Sequence, residues 1–220
     1  MQPQTCNISI ILDDLKDVGK NLTSNFHYDD ELLRVYSILA MYFFQDPRFE
    51  EVSPNFKLNK GILLRGNVGV GKTICLKVFT DFLRRIKHPE HFIFHLTNDV
   101  VQDYMIGGEE KLLNHGLHSF RRSSSEVIDF NRPLTRCYDD LGMENKVIKY
   151  YGNERNLMAD ILFKRYDLFI SKGLKTIVST NLKPEDIEEQ YGYRIRSRMR
   201  EMLNDIVIEG HDRRTQVILK

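Results

Sequence analysis

Gly66-Asn67-Val68-Gly69-Val70-Gly71-Lys72-Thr73 is the stretch from which the rest of the chain can be read. It fits the spacing G-x-x-x-x-G-K-[S/T] in full. It lies between a short apolar run, Gly61-Ile62-Leu63-Leu64-Arg65, and a segment with helical spacing over Lys72–Arg85. Strand, loop and helix in that order are the context such a motif needs. Glycines permit positive φ and a close backbone approach, so successive N–H groups can converge on phosphate oxygens. The helix that follows adds the positive end of its dipole. In this arrangement Lys72 reaches the β- and γ-phosphates of ATP, and Thr73 helps hold Mg²⁺.

Working outward, short apolar runs alternate with helical segments. Phe92-Ile-Phe-His-Leu, Leu134-Thr-Arg-Cys-Tyr-Asp and Lys175-Thr-Ile-Val-Ser-Thr read as further strands, with Asp205-Ile-Val-Ile-Glu as a fifth. Residues 156–170 read as a helix with Met158, Ile161, Leu162, Tyr166, Phe169 and Ile170 on its apolar side. Pro184 opens a short helix, where its missing N–H costs nothing. Such alternation predicts an α/β fold of three layers, a mostly parallel sheet covered by helices on both faces. The nucleotide-binding domain is expected over residues 56–220. Residues 1–55 read as a short helical appendage, a candidate for partner binding. Leu32, Tyr36, Leu39, Tyr42 and Phe43 form a stripe there, preceded by Asp29 and Asp30 as first-turn residues, and packing against the main domain is its expected use.

A phosphate loop of this kind needs a carboxylate at the end of a neighbouring strand to hold Mg²⁺. Tyr138-Asp139-Asp140 supplies one: Asp139 is read as the metal carboxylate, and Asp140 as the group that polarises the attacking water. Glu144 is the alternative to Asp140. Asn181, closing the strand Thr176-Ile-Val-Ser-Thr, is placed to contact the γ-phosphate or the lytic water. Arg194, Arg196, Arg198 and Arg200 follow on a predicted helix, with Arg194 and Arg198 on one face. A solvated face is one reading of that run. The other is an arginine supplied to a neighbouring subunit's γ-phosphate, which requires self-association.

The bulk numbers remove several classes. A formal net charge of +1 shows no global basic imbalance, so any nucleic-acid contact must be local. Cys6, Cys75 and Cys137 are isolated, with no metal-ligand spacing. The amino terminus lacks a basic segment before an apolar core, and no stretch approaches the ~18 apolar residues that span a bilayer. A cytoplasmic protein with reduced thiols and no membrane contact is expected.

Together these residues resemble the AAA+ ATPases of the DnaC/DnaI/IstB group, bacterial and phage helicase loaders and transposition helpers. The resemblance covers roughly residues 59–214. Its most specific stretches are Tyr138-Asp-Asp-Leu-Gly-Met-Glu, Tyr151-Gly-Asn, Ser179-Thr-Asn-Leu and Tyr191-Gly-Tyr-Arg-Ile-Arg-Ser-Arg-Met. It implies that Asp139 and Asp140 form the Walker B pair, that Asn181 is sensor 1, that Arg194 is the arginine finger, and that Arg198 is a second nucleotide-sensing arginine. Asp140 stands where most AAA+ enzymes carry glutamate, one methylene longer, so slow hydrolysis is expected. With little sequence after the last predicted strand no full helical lid is expected, and the amino-terminal part has no zinc-ligand cysteines.

The resemblance further implies an ATP-dependent loader that places a replicative helicase on single-stranded DNA. The alternatives are an IstB-like ATPase that binds DNA and directs a transposase and, outside the family, a P-loop kinase acting on a small molecule. Residues 98–134 read as a long insertion between strands. Its Lys111, His115, His118, Phe120, Arg121 and Arg122 offer basic groups beside an aromatic for a phosphate backbone and a stacked base.

Replacing Lys72 with Ala removes the loop's phosphate cation. Titration calorimetry with Mg·ATP is expected to show binding by the unaltered chain and none by the variant.

Overall fold

The computed structural model describes residues 5–116, 120–122, 128–150 and 153–214. Three helices come first: α1 (Ile8–Leu22), α2 (Asp30–Phe43) and the single turn α3 (Arg48–Glu51). Then β1 (Gly61–Arg65) leads through the phosphate loop into α4 (Lys72–Arg85), and β2 (Phe92–Leu96) leads into α5 (Thr97–Leu113). Two small hairpins, β3 (Phe120–Arg122) with β4 (Ile128–Pro133) and β6 (Ile148–Tyr150) with β7 (Asn153–Arg155), flank β5 (Thr135–Leu141). The chain continues through α6 (Leu157–Lys172), β8 (Thr176–Thr180), α7 (Pro184–Tyr191), α8 (Tyr193–Met202) and β9 (Leu203–Val207).

The main sheet has the order β2-β5-β8-β1-β9, with every pair parallel. Its central strand, β8, is buried along its whole length. That burial explains why it reads as a continuous apolar run rather than an alternating one. β1 and β8 lie side by side in the middle of the sheet, so the phosphate loop and Asn181 leave it next to each other. The five expected strands are present and the three-layer reading holds, with boundaries moved by one or two residues. On α6, Met158, Ile161 and Leu162 are buried, but Ile170 is exposed: it falls in the last turn, past the end of the face that meets the sheet.

Several elements were not read from the sequence, among them α3, the two small hairpins, α1 and α5. α1 begins at Asn7, whose side chain accepts from the Ile10 N–H, and buries Ile11, Leu15 and Val18. The stretch read as an insertion opens with α5, two helical pieces joined at Gly108, where φ is 59° and ψ is −146°. Neighbouring glycines, Gly107 and Gly108, had hidden its helical period.

The first helices and the sheet share one hydrophobic cluster. It joins Leu15, Val18 and Phe26 to Leu32, Tyr36, Leu39 and Phe43 of α2, then to Cys75 and Phe79 of α4, and to Ile62 and Leu64 of β1. Asp29 caps α2 by accepting from the Leu32 N–H at 2.8 Å. The rings of Tyr36 and Phe43 pack on Phe79, with centroids 5.5 and 5.0 Å away, and Phe43 stacks on Phe92. Phe26 lies directly over Gly19 of α1, where a Cβ would fall 2.5 Å from the ring.

Leu39 is fully buried in this cluster. Leu39→Ala is expected to lower unfolding stability by about 2–5 kcal/mol, as transfer and cavity terms add. One cooperative chemical-denaturation transition moved to lower denaturant is the expected readout, because α2 and the sheet share a core.

Candidate functional site

The phosphate loop takes its shape from left-handed glycines. Gly69 and Gly71 have φ of 80° and 99°, and Gly71 also caps α4. At Gly66 the constraint is space, because a Cβ would lie 2.3 Å from the carbonyl oxygen of Ile208. Lys72 is nearly buried, and its Nζ donates to the carbonyls of Gly66 at 2.8 Å and Asn67 at 2.9 Å. Burial lowers its pKa, while Asp140 and Asp139 work in the opposite direction. The ammonium is therefore held inside the loop by groups that a phosphate oxygen can replace.

Asp139 is fully buried at the end of β5. Its Oδ1 accepts a short hydrogen bond from Ser179 Oγ, and its Oδ2 is buried with no hydrogen-bond partner among the described residues. Burial raises its pKa, and the hydroxyls of Ser179 and Thr73 oppose that rise. A buried carboxylate oxygen without a donor, close to the Thr73 hydroxyl, fits a hard cation such as Mg²⁺. Asp140 follows in the left-handed region, at φ 58°, where the register between β5 and β8 shifts. Its N–H donates to Ser179 Oγ at 3.0 Å, and its carbonyl accepts from Thr97 Oγ1 at 3.0 Å. A non-glycine residue held in that conformation turns the chain so that consecutive aspartates serve different places: Asp139 is buried below, and Asp140 lines the open cavity.

That cavity, of about 1100 Å³, is lined by Val68, Gly69, Gly71, Lys72, Thr73, Asp140 and Asn181 on the sheet side. The α1–α2 connection also lines it, with Thr23, Asn25, Phe26 and His27, together with Leu32 and Tyr36 of α2. Arg213 and Arg214 complete it. The structure thus brings together the phosphate loop, both aspartates and Asn181. Val70 is buried beneath the loop.

Glu144 is buried elsewhere, accepting from the Gly142 N–H and the Tyr191 hydroxyl, so it fastens the segment after β5 to α7 rather than facing the cavity. Arg194 is exposed on α8. The Arg198 guanidinium lies over the rings of Phe163 and Tyr166 on α6, 3.6 and 4.9 Å from their centroids. Neither arginine lines the chain's own cavity. Arg196 is paired with Glu188.

Of the basic residues read in the insertion, Lys111 is exposed and His115 is buried, its Nδ1 bonded to the Tyr138 hydroxyl. Burial, with Arg136 nearby, pushes the His115 pKa down to about 3, so its ring is neutral and turned inward rather than towards a nucleic acid. His118 lies outside the described residues, as do the side chains of Phe120, Arg121 and Arg122.

Reasoning from the sequence missed Ser179, Arg213, Arg214 and the α1–α2 connection. A serine inside an apolar strand and a charged His211-Asp212-Arg213-Arg214 run after the last strand were the available signals.

No protein-family model matches the chain, and no curated protein matches it in sequence. Among solved structures it is similar to the DnaC helicase loader, at 20% identity and a TM-score of 0.54, over 85% of this chain and 95% of that one. It is also similar to AMPPCP-bound DnaA from Aquifex aeolicus, at 16% identity and a TM-score of 0.54, over 84% of this chain and 48% of that one. A replication initiator DnaA bound to AMPPCP and single-stranded DNA matches at 14% identity and a TM-score of 0.56, over 86% of this chain and 49% of that one.

Because the folded-state pKa of Asp139 is raised, its ionised form is disfavoured by folding. The metal-free protein should therefore gain stability as pH falls from above that raised value towards the ordinary carboxylate range. Asp139→Asn is expected to raise the apo melting temperature where the unaltered side chain is ionised, flatten its fall with rising pH, and reduce further stabilisation by Mg·ATP. Thermal denaturation at stepped pH, with and without Mg·ATP, reads all three.

The phosphate loop on β1, the acidic end of β5 and the polar end of β8 are thus carried on one parallel sheet, and the chain has the AAA+-type P-loop NTPase fold.

Proposed function

We propose that this protein is an ATP-dependent loader that binds a replicative DNA helicase and helps place it on single-stranded DNA. The observation that carries the reading is its match to nearly the whole of the DnaC loader's chain, with a phosphate loop, Asp140 and Asn181 around one cavity and Asp139 buried beneath it. The DnaA structures with AMPPCP, one of them also with single-stranded DNA, favour the same nucleotide and nucleic-acid chemistry.

The chain's own groups divide the work. The loop N–H groups and Lys72 bind and orient the triphosphate, with Lys72 exchanging the carbonyls of Gly66 and Asn67 for phosphate oxygens. Thr73 and the Oδ2 of Asp139 would hold Mg²⁺, which when bound neutralises phosphate charge. Asp140 orients the attacking water and takes its proton, and Asn181 positions that water against the γ-phosphate. Arg194, exposed and outside the chain's own cavity, is assigned to a neighbouring subunit's nucleotide, where it stabilises charge as γ-phosphate transfer proceeds. ATP then favours assembly and a grip on DNA, and hydrolysis releases both.

Size-exclusion chromatography of the purified chain with its host's hexameric helicase is the direct test. Co-elution strengthened by ATP over ADP is expected, and Arg194→Ala should keep ATP binding while losing assembly-dependent hydrolysis. A chain that ignores the helicase and instead retains a transposase in the same assay would replace this reading with the transposition-helper one.

A further inference from the structure

After β9 the chain does not leave the site. The Ile208 N–H donates to the Arg65 carbonyl at 2.7 Å, and the Glu209 N–H to Glu31 of α2 at 2.8 Å. This irregular strap then crosses the phosphate loop. The Arg213 N–H donates to the Gly69 carbonyl at 3.0 Å. The Arg213 guanidinium donates to the Val70 carbonyl at 2.5 Å and to Asp29 Oδ2 at 2.8 Å. This strap places a carboxylate on the loop itself: a Cβ built on Gly69 would lie 2.0 Å from Asp212 Oδ1. Asp212 in turn holds Arg214 in a fork, accepting from Nε at 3.1 Å, from the terminal nitrogen at 3.0 Å and from the backbone N–H at 2.9 Å.

An anion resting against a phosphate loop, with an arginine clamped on it at the cavity wall, has the arrangement of a bound phosphate and its cation. Arg214 lines the same cavity as Lys72, Asp140 and Asn181. Its side chain is mostly exposed, so the Asp212–Arg214 pair is water-screened and easily exchanged.

Resting on the ATP reading above, we propose that Asp212 is an internal stand-in for nucleotide phosphate, and that Arg214 passes from Asp212 to the terminal phosphate of a bound nucleoside triphosphate. Asp212 competes with the incoming anion in two ways, by occupying the arginine and by adding negative charge beside the loop. A diphosphate, lacking the terminal phosphate, leaves Arg214 on Asp212. The pair therefore makes binding discriminate triphosphate from diphosphate within one subunit, independently of any neighbour's Arg194.

Calorimetric titration of ATP and ADP into unaltered protein, Arg214→Gln, Asp212→Asn and the double variant tests this, with nucleotide-free melting curves confirming that each variant folds. Arg214→Gln should weaken ATP by about tenfold or more and leave ADP nearly unchanged, the size expected for one charge-assisted contact. Asp212→Asn should tighten ATP several-fold, and most of that gain should vanish in the Arg214→Gln background, because the two changes act on one interaction. Unchanged ATP affinity in Arg214→Gln, equal loss of ATP and ADP, or weaker ATP binding by Asp212→Asn would each overturn the assignment while leaving nucleotide binding intact. Failure of the unaltered protein to bind either nucleotide would overturn the underlying ATP reading as well.

Discussion

The phosphate loop must stay bare. Gly66 has the carbonyl of Ile208 where a side chain would be, Gly69 has the carboxylate of Asp212 there, and Gly71 turns left-handed to start α4. A side chain at Gly66 would meet the backbone of the strap that follows β9, one at Gly69 would displace the Asp212 carboxylate and strain a left-handed turn, and one at Gly71 would strain the turn that leads into α4. Every other part of the site is positioned against this loop. Lys72 folds onto its carbonyls, β1 sets it beside β8, and the strap fastens its outer side to the start of α2.

Ser179 performs the corresponding task on the acidic side. From the buried central strand its hydroxyl donates to Asp139 and accepts from the Asp140 backbone, so one small side chain holds adjacent aspartates in different roles. The left-handed turn at Asp140 keeps one carboxylate buried next to Thr73 and leaves the other on the cavity wall. Backbone strain of about 1–3 kcal/mol at such a residue is tolerated when surrounding contacts over-determine it. Here Thr97, Ser179 and the bulge against β8 supply those contacts.

The helices before β1 are part of the same physical object. Their aromatic residues fill the core that supports α4, and their connection lines the cavity together with the phosphate loop. Asp29 caps α2 and binds Arg213 as well, which makes the start of that helix a mechanical neighbour of the nucleotide site. The strap is tied to the amino-terminal helices by the Arg213–Asp29 ion pair and the Glu209 N–H to Glu31 hydrogen bond.

Much of this was legible in the amino-acid order because it depends on local rules. Glycine spacing before Lys72-Thr73 specifies a phosphate loop, apolar runs ending in Asp139-Asp140 and Asn181 specify strand tips, and the stripe from Leu32 to Phe43 specifies a buried helix face. Those signals lie within a few residues of one another. Tertiary structure alone decided the rest, because it depends on contacts between distant positions. Ser179 meets the aspartates 40 and 39 residues earlier, Arg213 reaches Asp29 across 184, and Glu144 turns away to Tyr191. No local period encodes such pairings; they follow from the strand order, which sets β1 between β8 and β9 and so draws the chain's later segment back over its phosphate loop.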